Sequence, residues 1–220
     1  MKFRSLPFLL IAATSCSSID QNKIAPGYFQ AYNAVKTAIV GYENTSITRE
    51  IVQSIPYASS LIRIGKGPYG LMILDKKDDT TETWVTADQV YLVIKNGRII
   101  KTAGLNNNLS EVLSPLSYNL EKIYLNGGSE ELKFYYSYKN PDLYRLQLSV
   151  TYQVCGYEEV DILGFKQKLI KIEEKIINKT IGWERTNVYW IDNEFNVWKS
   201  IQYISPRLPM IQIEVTKKPS

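Results

Sequence analysis

Residues 57–109 read YASSLIRIGKGPYGLMILDKKDDTTETWVTADQVYLVIKNGRIIKTAGLNNNL. Short runs of Val, Ile, Leu, Tyr and Trp are interrupted about every eight to twelve residues by a turn signal. The breaks fall at Gly65-Lys66-Gly67-Pro68, Lys77-Asp78-Asp79, Ala87-Asp88 and Asn96-Gly97. This rhythm predicts a mainly β fold, an antiparallel meander forming a sandwich or a barrel-like sheet. Asn96-Gly97 is the strongest local signal, a two-residue type I′ turn with both residues at positive φ. It sets Ile94 opposite Ile99 and Lys95 opposite Arg98. The second pair is like-charged, so its two heads must splay into water or find acids elsewhere. Tyr69–Leu74 is nearly all apolar and suits a strand buried on both faces, whereas Ser59–Ile64 suits one with a wetter face.

The same reading extends outward. Leu132–Tyr138 is strand-like, and Arg145–Val154 alternates cleanly with Leu146, Leu148, Val150, Tyr152 and Val154 on one face. Strict alternation puts Cys155 with the polar face, and a bulge at Gly156 would turn it inward. In Lys166–Ile177, Ile170, Ile172 and Ile176 suit a strand while Leu169, Ile172 and Ile176 suit a helix; the β-branched content and the β context favour the strand. Ile181–Ile191 and Phe195–Ile204 form a hairpin around Asp192-Asn193, and Met210–Val215 a final short strand. Three stretches break the β pattern. Tyr28–Tyr42 carries Phe29, Tyr32, Val35 and Ile39 at helical spacing, and so predicts one N-terminal helix. A further helical turn is expected over 45–52, capped by Thr45 or Ser46 and ended by Pro56. Ser110–Leu113 is expected to add one helical turn, and Asn126–Ser129 to separate two strands.

The first residues address the compartment. Lys2 and Arg4 precede an apolar stretch from Leu6 to Ala13, and Ala13-Thr14-Ser15 are small residues before Cys16. Residues 1–15 therefore read as a secretory signal, too short to span a bilayer. Cys16 stands where bacterial lipoproteins carry the acylated cysteine; the alternative is an ordinary signal with Cys16 incidental. Acyl chains there would hold the protein on a membrane, each buried methylene contributing about 0.8 kcal/mol. Residues 16–24 then form a tether, and 25–220 a single β-rich domain. Without residues 1–15 the 26 basic side chains lose Lys2 and Arg4, leaving 24 against 22 acidic ones. That near-balance argues against nucleic acid as a partner. With Cys16 acylated, Cys155 has no partner within the chain, and burial as a small hydrophobe is the expectation for it.

Candidate chemistry is sparse. There is no histidine, which removes the usual general base and the commonest metal ligand. No metal site and no cofactor site is read from the sequence, and Gly65-Lys66-Gly67 is followed by Pro68 rather than by a dinucleotide-binding pattern. Paired carboxylates remain as enzymatic candidates, drawn from Asp88, Glu173, Glu174, Glu184, Asp192 and Glu194; acids in turns are ordinarily solvated, and the reading is non-catalytic. Sixteen Tyr, four Trp and six Phe supply aromatic surface. Trp84, Trp190 and Trp198 are expected in the core. Trp183, Arg185, Asn187 and Tyr189 share one face of a strand by alternation. An indole, a guanidinium, an amide and a phenol in one row would suit an acidic sugar chain, with core packing as the competing account.

Other pieces of the chain resemble a known family. They are Tyr57-Ala58-Ser59, Arg63-Ile64-Gly65 with Gly67-Pro68, Trp84 with Ala87-Asp88, Gly97-Arg98 and Gly104-Leu105. Asn187 with Tyr189-Trp190, Trp198-Lys199-Ser200 with Gln202, and Pro206 complete the set. In this order they are similar to the GfcB/YjbF lipoproteins of group 4 capsule and related exopolysaccharide systems. The resemblance departs at Asn193-Glu194, where a glycine-containing turn is expected. It implies a mainly β lipoprotein, anchored in the outer membrane on its periplasmic face and serving polysaccharide secretion or assembly. An outer-membrane barrel protein and a periplasmic protein of the same system are the implied partners. Ser17 after Cys16 resembles enteric sorting to the outer membrane. A glycan-binding module using surface aromatics and arginine is the alternative function.

Overall fold

The computed structural model describes residues 47–115 and 118–219, and the meander continues through nearly all of them. Twelve antiparallel strands form one sheet. In chain order they are β1 (Ser59–Ile64), β2 (Tyr69–Lys77), β3 (Thr81–Thr86), β4 (Tyr91–Lys95), β5 (Arg98–Ala103) and β6 (Asn108–Leu113). The rest are β7 (Leu132–Lys139), β8 (Leu143–Ile162), β9 (Phe165–Asn178), β10 (Trp183–Ile191), β11 (Val197–Gln202) and β12 (Ile211–Lys217). Across the sheet the order is β5-β4-β3-β2-β1-β12-β11-β10-β9-β8-β7-β6. The two edge strands are thus neighbours in sequence, and the sheet curls to bring them together. At that seam the Leu109 N–H donates to Thr102 Oγ1 at 2.9 Å. Trp84, Leu92, Ile99, Leu109, Phe134, Leu148, Ile172 and Tyr189 all lie in one buried cluster, the filled interior of a nearly closed barrel.

The outside is layered in two places. Helix α1 (Arg49–Ser54) sets Val52, with Ile55, on Leu61, Leu71 and Ile73. The β8–β9 hairpin is far longer than the others, and its ladder slips between Val154 and Gly156, where Gly156 takes φ 87°. Beyond that bulge it lies across the outer face, packing Val160, Ile162 and Leu169 against Trp190. Leu163 at its tip reaches the α1 cluster, and the Arg49 guanidinium sits 5.0 Å above the Phe165 ring. β1 is consequently covered on both sides: Ser59 and Ser60 are as buried as Leu61 and Ile62. The wetter face expected for β1 does not exist, because α1, with Leu163 from the hairpin tip beside it, covers that face. Cys155 is likewise not buried; the bulge leaves it outside and exposed.

Alternating turns define two barrel ends. The 203–210 connection closes one, where Ile204 O accepts from the Tyr138 hydroxyl at 3.0 Å and Met210 O from the Gly65 N–H at 2.8 Å. At the other end, α2 (Leu120–Leu125) drops Leu120 and Ile123 into the interior. Asn119 caps α2, its Oδ1 accepting from Glu121 N at 2.7 Å. The sequence reading placed a strand there, and instead placed a helical turn at Ser110–Leu113, which is β6 paired with β7. Helix α1 starts later than expected, capped by Thr48 rather than Thr45 or Ser46. The expected Tyr28–Tyr42 helix, the signal and Cys16 lie outside the described residues.

The Asn96-Gly97 turn matches its reading, with φ 49° and 78° and with Ile94 opposite Ile99. A Cβ on Gly97 would clash with Val197 Cγ2. Gly164 has the same φ, 78°, but nothing lies within 4 Å of its would-be Cβ. Gly164→Ala isolates backbone strain and should cost about 1 kcal/mol. Gly97→Ala adds the clash and should cost roughly 2–4 kcal/mol in urea unfolding. Equal costs would show that the hairpin tip yields freely from β11.

Candidate functional site

The row Trp183, Arg185, Asn187 and Tyr189 does not form an exposed platform. Trp183, Asn187 and Tyr189 are 5%, 1% and 0% exposed, because β10 turns this face into the barrel. Only Arg185 is at the surface, where it leans over the Tyr203 ring at 5.6 Å and donates to Glu184 O. Trp84 and Trp190 are core residues as expected, and Trp198 is half-buried.

Asn187 and Tyr189 instead converge on Glu174. Asn187 Nδ2 and the Tyr189 hydroxyl donate to Glu174 Oε2 at 3.0 and 2.8 Å. The Tyr152 hydroxyl donates to Oε1 at 3.1 Å, and Arg98 closes an ion pair with the same oxygen. Arg98 also donates to the hydroxyls of Tyr136 and Tyr152, both at 2.6 Å. Its guanidinium lies 4.4 Å from the Phe134 ring centre and 4.9 Å from that of Tyr118. Burial pushes the phenols of Tyr136, Tyr152 and Tyr189 up, so they remain donors. For Tyr118 the same burial raises the value to about 12. Arg98 is held as a cation: burial opposes its charge, and Glu174 beside it more than restores it.

Both charges are essentially without solvent contact, and both carboxylate oxygens are engaged by donors. No room is left for a substrate at the carboxylate, so this knot is structural rather than catalytic. Part of its signal was present in the sequence: Glu174 interrupts the inward row Ile170, Ile172, Ile176, and the paired Lys95 and Arg98 had either to splay into water or to find acids. The other candidate carboxylates do not form a working pair among the described residues. Glu173 pairs with Lys171 at 2.9 Å and Glu184 with Lys175 at 2.7 Å, Asp88 accepts from Thr86, and Asp192 and Glu194 bracket the Asn196 amide. No three His, Cys, Asp or Glu side chains among the described residues are placed to hold a metal ion.

The accessible candidate lies at the α2 end of the barrel. Beside α2 a cleft of about 330 Å³ opens between the 78–80 turn, the Asn96-Gly97 tip, the 192–196 turn and the segment after β12. Ser60, Trp84 and Ile213 lie deep in it, and Phe195 and Trp198 stand at its wall. The wall is built by Asp192. Its Oδ1 accepts from the N–H groups of Glu194 and Asn196, both at 2.9 Å, while Oδ2 accepts from Trp198 Nε1 at 2.9 Å and Lys218 Nζ at 2.7 Å. With Phe195 at φ 64°, this carboxylate shapes a turn that lacks the expected glycine. Burial pushes the Asp192 carboxyl up, but its hydrogen bonds from Lys218, Trp198 and Asn196 outweigh that and hold it at about 2.

Comparison with known proteins bears on this geometry. The family described as "Group 4 capsule polysaccharide lipoprotein gfcB, YjbF" matches residues 32–216. The uncharacterized lipoprotein YjbF of Escherichia coli K12 is 27% identical over 206 residues, covering 93% of this chain and 92% of that protein. The uncharacterized lipoprotein GfcB of the same organism is 23% identical over 159 residues, covering 72% and 74%. A crystal structure of the hypothetical lipoprotein YmcC from E. coli K12 superposes with a TM-score of 0.66 at 23% identity. It covers 84% of this chain and 96% of that one, a likeness of fold.

Two outcomes follow from these contacts. Arg98→Met or Glu174→Leu alone strands the other charge in the core and should cost roughly 3–5 kcal/mol by denaturant unfolding; the double replacement should recover most of that. Additive losses would show that the two side chains are not coupled. For Asp192, the folded-state value lies below the unfolded one of about 3.9, so its stabilisation is present above pH 4. It is lost as pH falls toward 2. Trp198 fluorescence should report a transition in that window, and Asp192→Asn should abolish it.

Proposed function

Because the chain belongs to the YjbF family of group 4 capsule polysaccharide lipoproteins, we propose that it is a non-catalytic accessory lipoprotein of polysaccharide secretion or assembly. One observation carries this reading: the match runs from residue 32 to 216 and so takes in the whole twelve-stranded barrel, not a fragment of it. In this proposal Cys16 is acylated, the acyl chains hold the protein on the periplasmic face of the outer membrane, and the barrel stands off on the residues between. The work is then done at the surface, since the interior is occupied by the Arg98–Glu174 knot. Partners of the same polysaccharide system, an outer-membrane barrel protein and a periplasmic protein, would dock there. Large apolar side chains stand exposed at one barrel end, with Tyr144 at 72%, Ile181 at 50% and Leu143 at 43% exposure, as docking requires.

Mass spectrometry of the processed N-terminus should find an acylated Cys16, and Cys16→Ser should release the protein from the membrane or leave it unprocessed. Deleting the gene should reduce surface polysaccharide, and mild-detergent purification should recover the barrel partner. An unmodified Cys16 would remove the anchor, and unchanged surface polysaccharide would remove the export role.

A further inference from the structure

The cleft beside α2 differs from the rest of the surface in what its floor holds. Ser60 belongs to the inward face of β1, with Ile62, and is 1% exposed. Its Oγ is buried without a hydrogen-bond partner. A hydroxyl in that state is costly unless something completes it. Nearby, Glu82 Oε2 accepts from Trp84 Nε1 at 3.0 Å, leaving Oε1 without a hydrogen bond among the described residues. An unanswered hydroxyl and a half-engaged carboxylate thus face one cleft whose wall carries the Phe195 and Trp198 rings. The volume, about 330 Å³, lies at the small end of ligand cavities, roughly 300–1,000 Å³.

We propose that this cleft binds one or two residues of an uncharged saccharide, through Ser60 and Glu82 to sugar hydroxyls and through Phe195 to a ring face, with Trp198, whose ring already carries Lys218 Nζ at 4.5 Å, as a neighbouring wall. The inference rests on the polysaccharide reading above and names the ligand class at a defined place. Charge excludes an acidic polymer or phosphate as the better ligand. The three lysines and three acids of the lining balance. Lys199 and Lys218 are already paired, with Glu214 and Asp192, each at 2.7 Å. Topology disfavours a peptide. The strands that line the cleft, β1, β2, β3, β4, β11 and β12, are hydrogen-bonded to neighbours on both sides. They offer no open edge for an added strand. Recognition here runs through side chains, and sugars are read by carboxylates, hydroxyls and aromatic faces.

The test uses the full protein, purified in a detergent without a sugar headgroup. Neutral oligosaccharides of two to four residues, cut by partial acid hydrolysis from the polymer its own cell exports, are titrated against tryptophan fluorescence. A uronate fragment and a polar tetrapeptide are titrated in parallel. The neutral fragments should give a saturable change that the other two do not. Ser60→Ala should weaken binding roughly 2- to 10-fold, the loss of one hydrogen bond, without lowering Tm, because the hydroxyl has no partner to lose. Glu82→Gln should weaken it comparably, while Arg185→Ala, on a different barrel face, should not. No saturable change, preferential binding of the uronate or the peptide, or unaltered affinity in Ser60→Ala and Glu82→Gln would each overturn the proposal. If surface polysaccharide still depends on the gene while no saccharide binds, only the cleft inference falls; if it does not depend on the gene, the export reading falls.

Discussion

The ion pair between Arg98 and Glu174 organises this molecule. Taking two charges out of water costs several kcal/mol each, and the cost is offset only where geometry and further hydrogen bonds are right. Those conditions draw residues from many strands to one point. Arg98 comes from β5, Tyr136 from β7, Tyr152 from β8, Glu174 from β9, and Asn187 and Tyr189 from β10. β5 lies at one edge of the sheet and β7 beside the other. The knot can therefore form only when the sheet has curled, and a slip of one residue in any of these strands would turn a partner outward. A purely apolar interior would tolerate several registers; this one does not.

The same curl decides what the barrel has to offer. Closure fills the inside with aromatic and branched side chains, so the fold has no through-channel at the level of the knot. One end is sealed by the 203–210 connection and the other only partly, by α2. What remains is the cleft between the 78–80, Asn96-Gly97 and 192–196 turns, where Asp192 gathers Trp198, Lys218 and two backbone N–H groups. The outer face is withdrawn from solvent in parallel. The β8–β9 hairpin lies over β10 and β11, and on β12 the polar groups Gln212 and Glu214 are buried among Arg63, Tyr69 and Lys199. Glu214 accordingly takes Lys199 and accepts from Gln212 at 2.7 and 2.6 Å.

In this member of a capsule polysaccharide lipoprotein family the barrel interior is filled and cross-tied by the Arg98–Glu174 knot. Family likeness extends over the whole of this body.

Much of the strand pattern was legible in the sequence, since local chemistry dictates it. Two positive-φ residues at Asn96-Gly97 fix a register, Gly156 marks a bulge, and alternation over 146–154 sorts inside from outside. The capping of α2 was missed because Leu120–Leu125 has no periodicity long enough to separate helix from strand; its helical state depends on Leu120 and Ile123 finding the barrel interior. Ser110–Leu113 was misread for the converse reason, as pairing with β7 overrides a weak local preference. Whether a face is wet or dry is not local either. The row Trp183-Arg185-Asn187-Tyr189 had the composition of a glycan platform, and only closure of the sheet turned three of its members inward. By itself, then, the chain's chemistry determined most of the strands, their main turns and a Lys95–Arg98 pair that had either to splay into water or to find acids. Tertiary structure alone decided which acid answered it, because Glu174 meets Arg98 only across a barrel whose curvature no single stretch encodes.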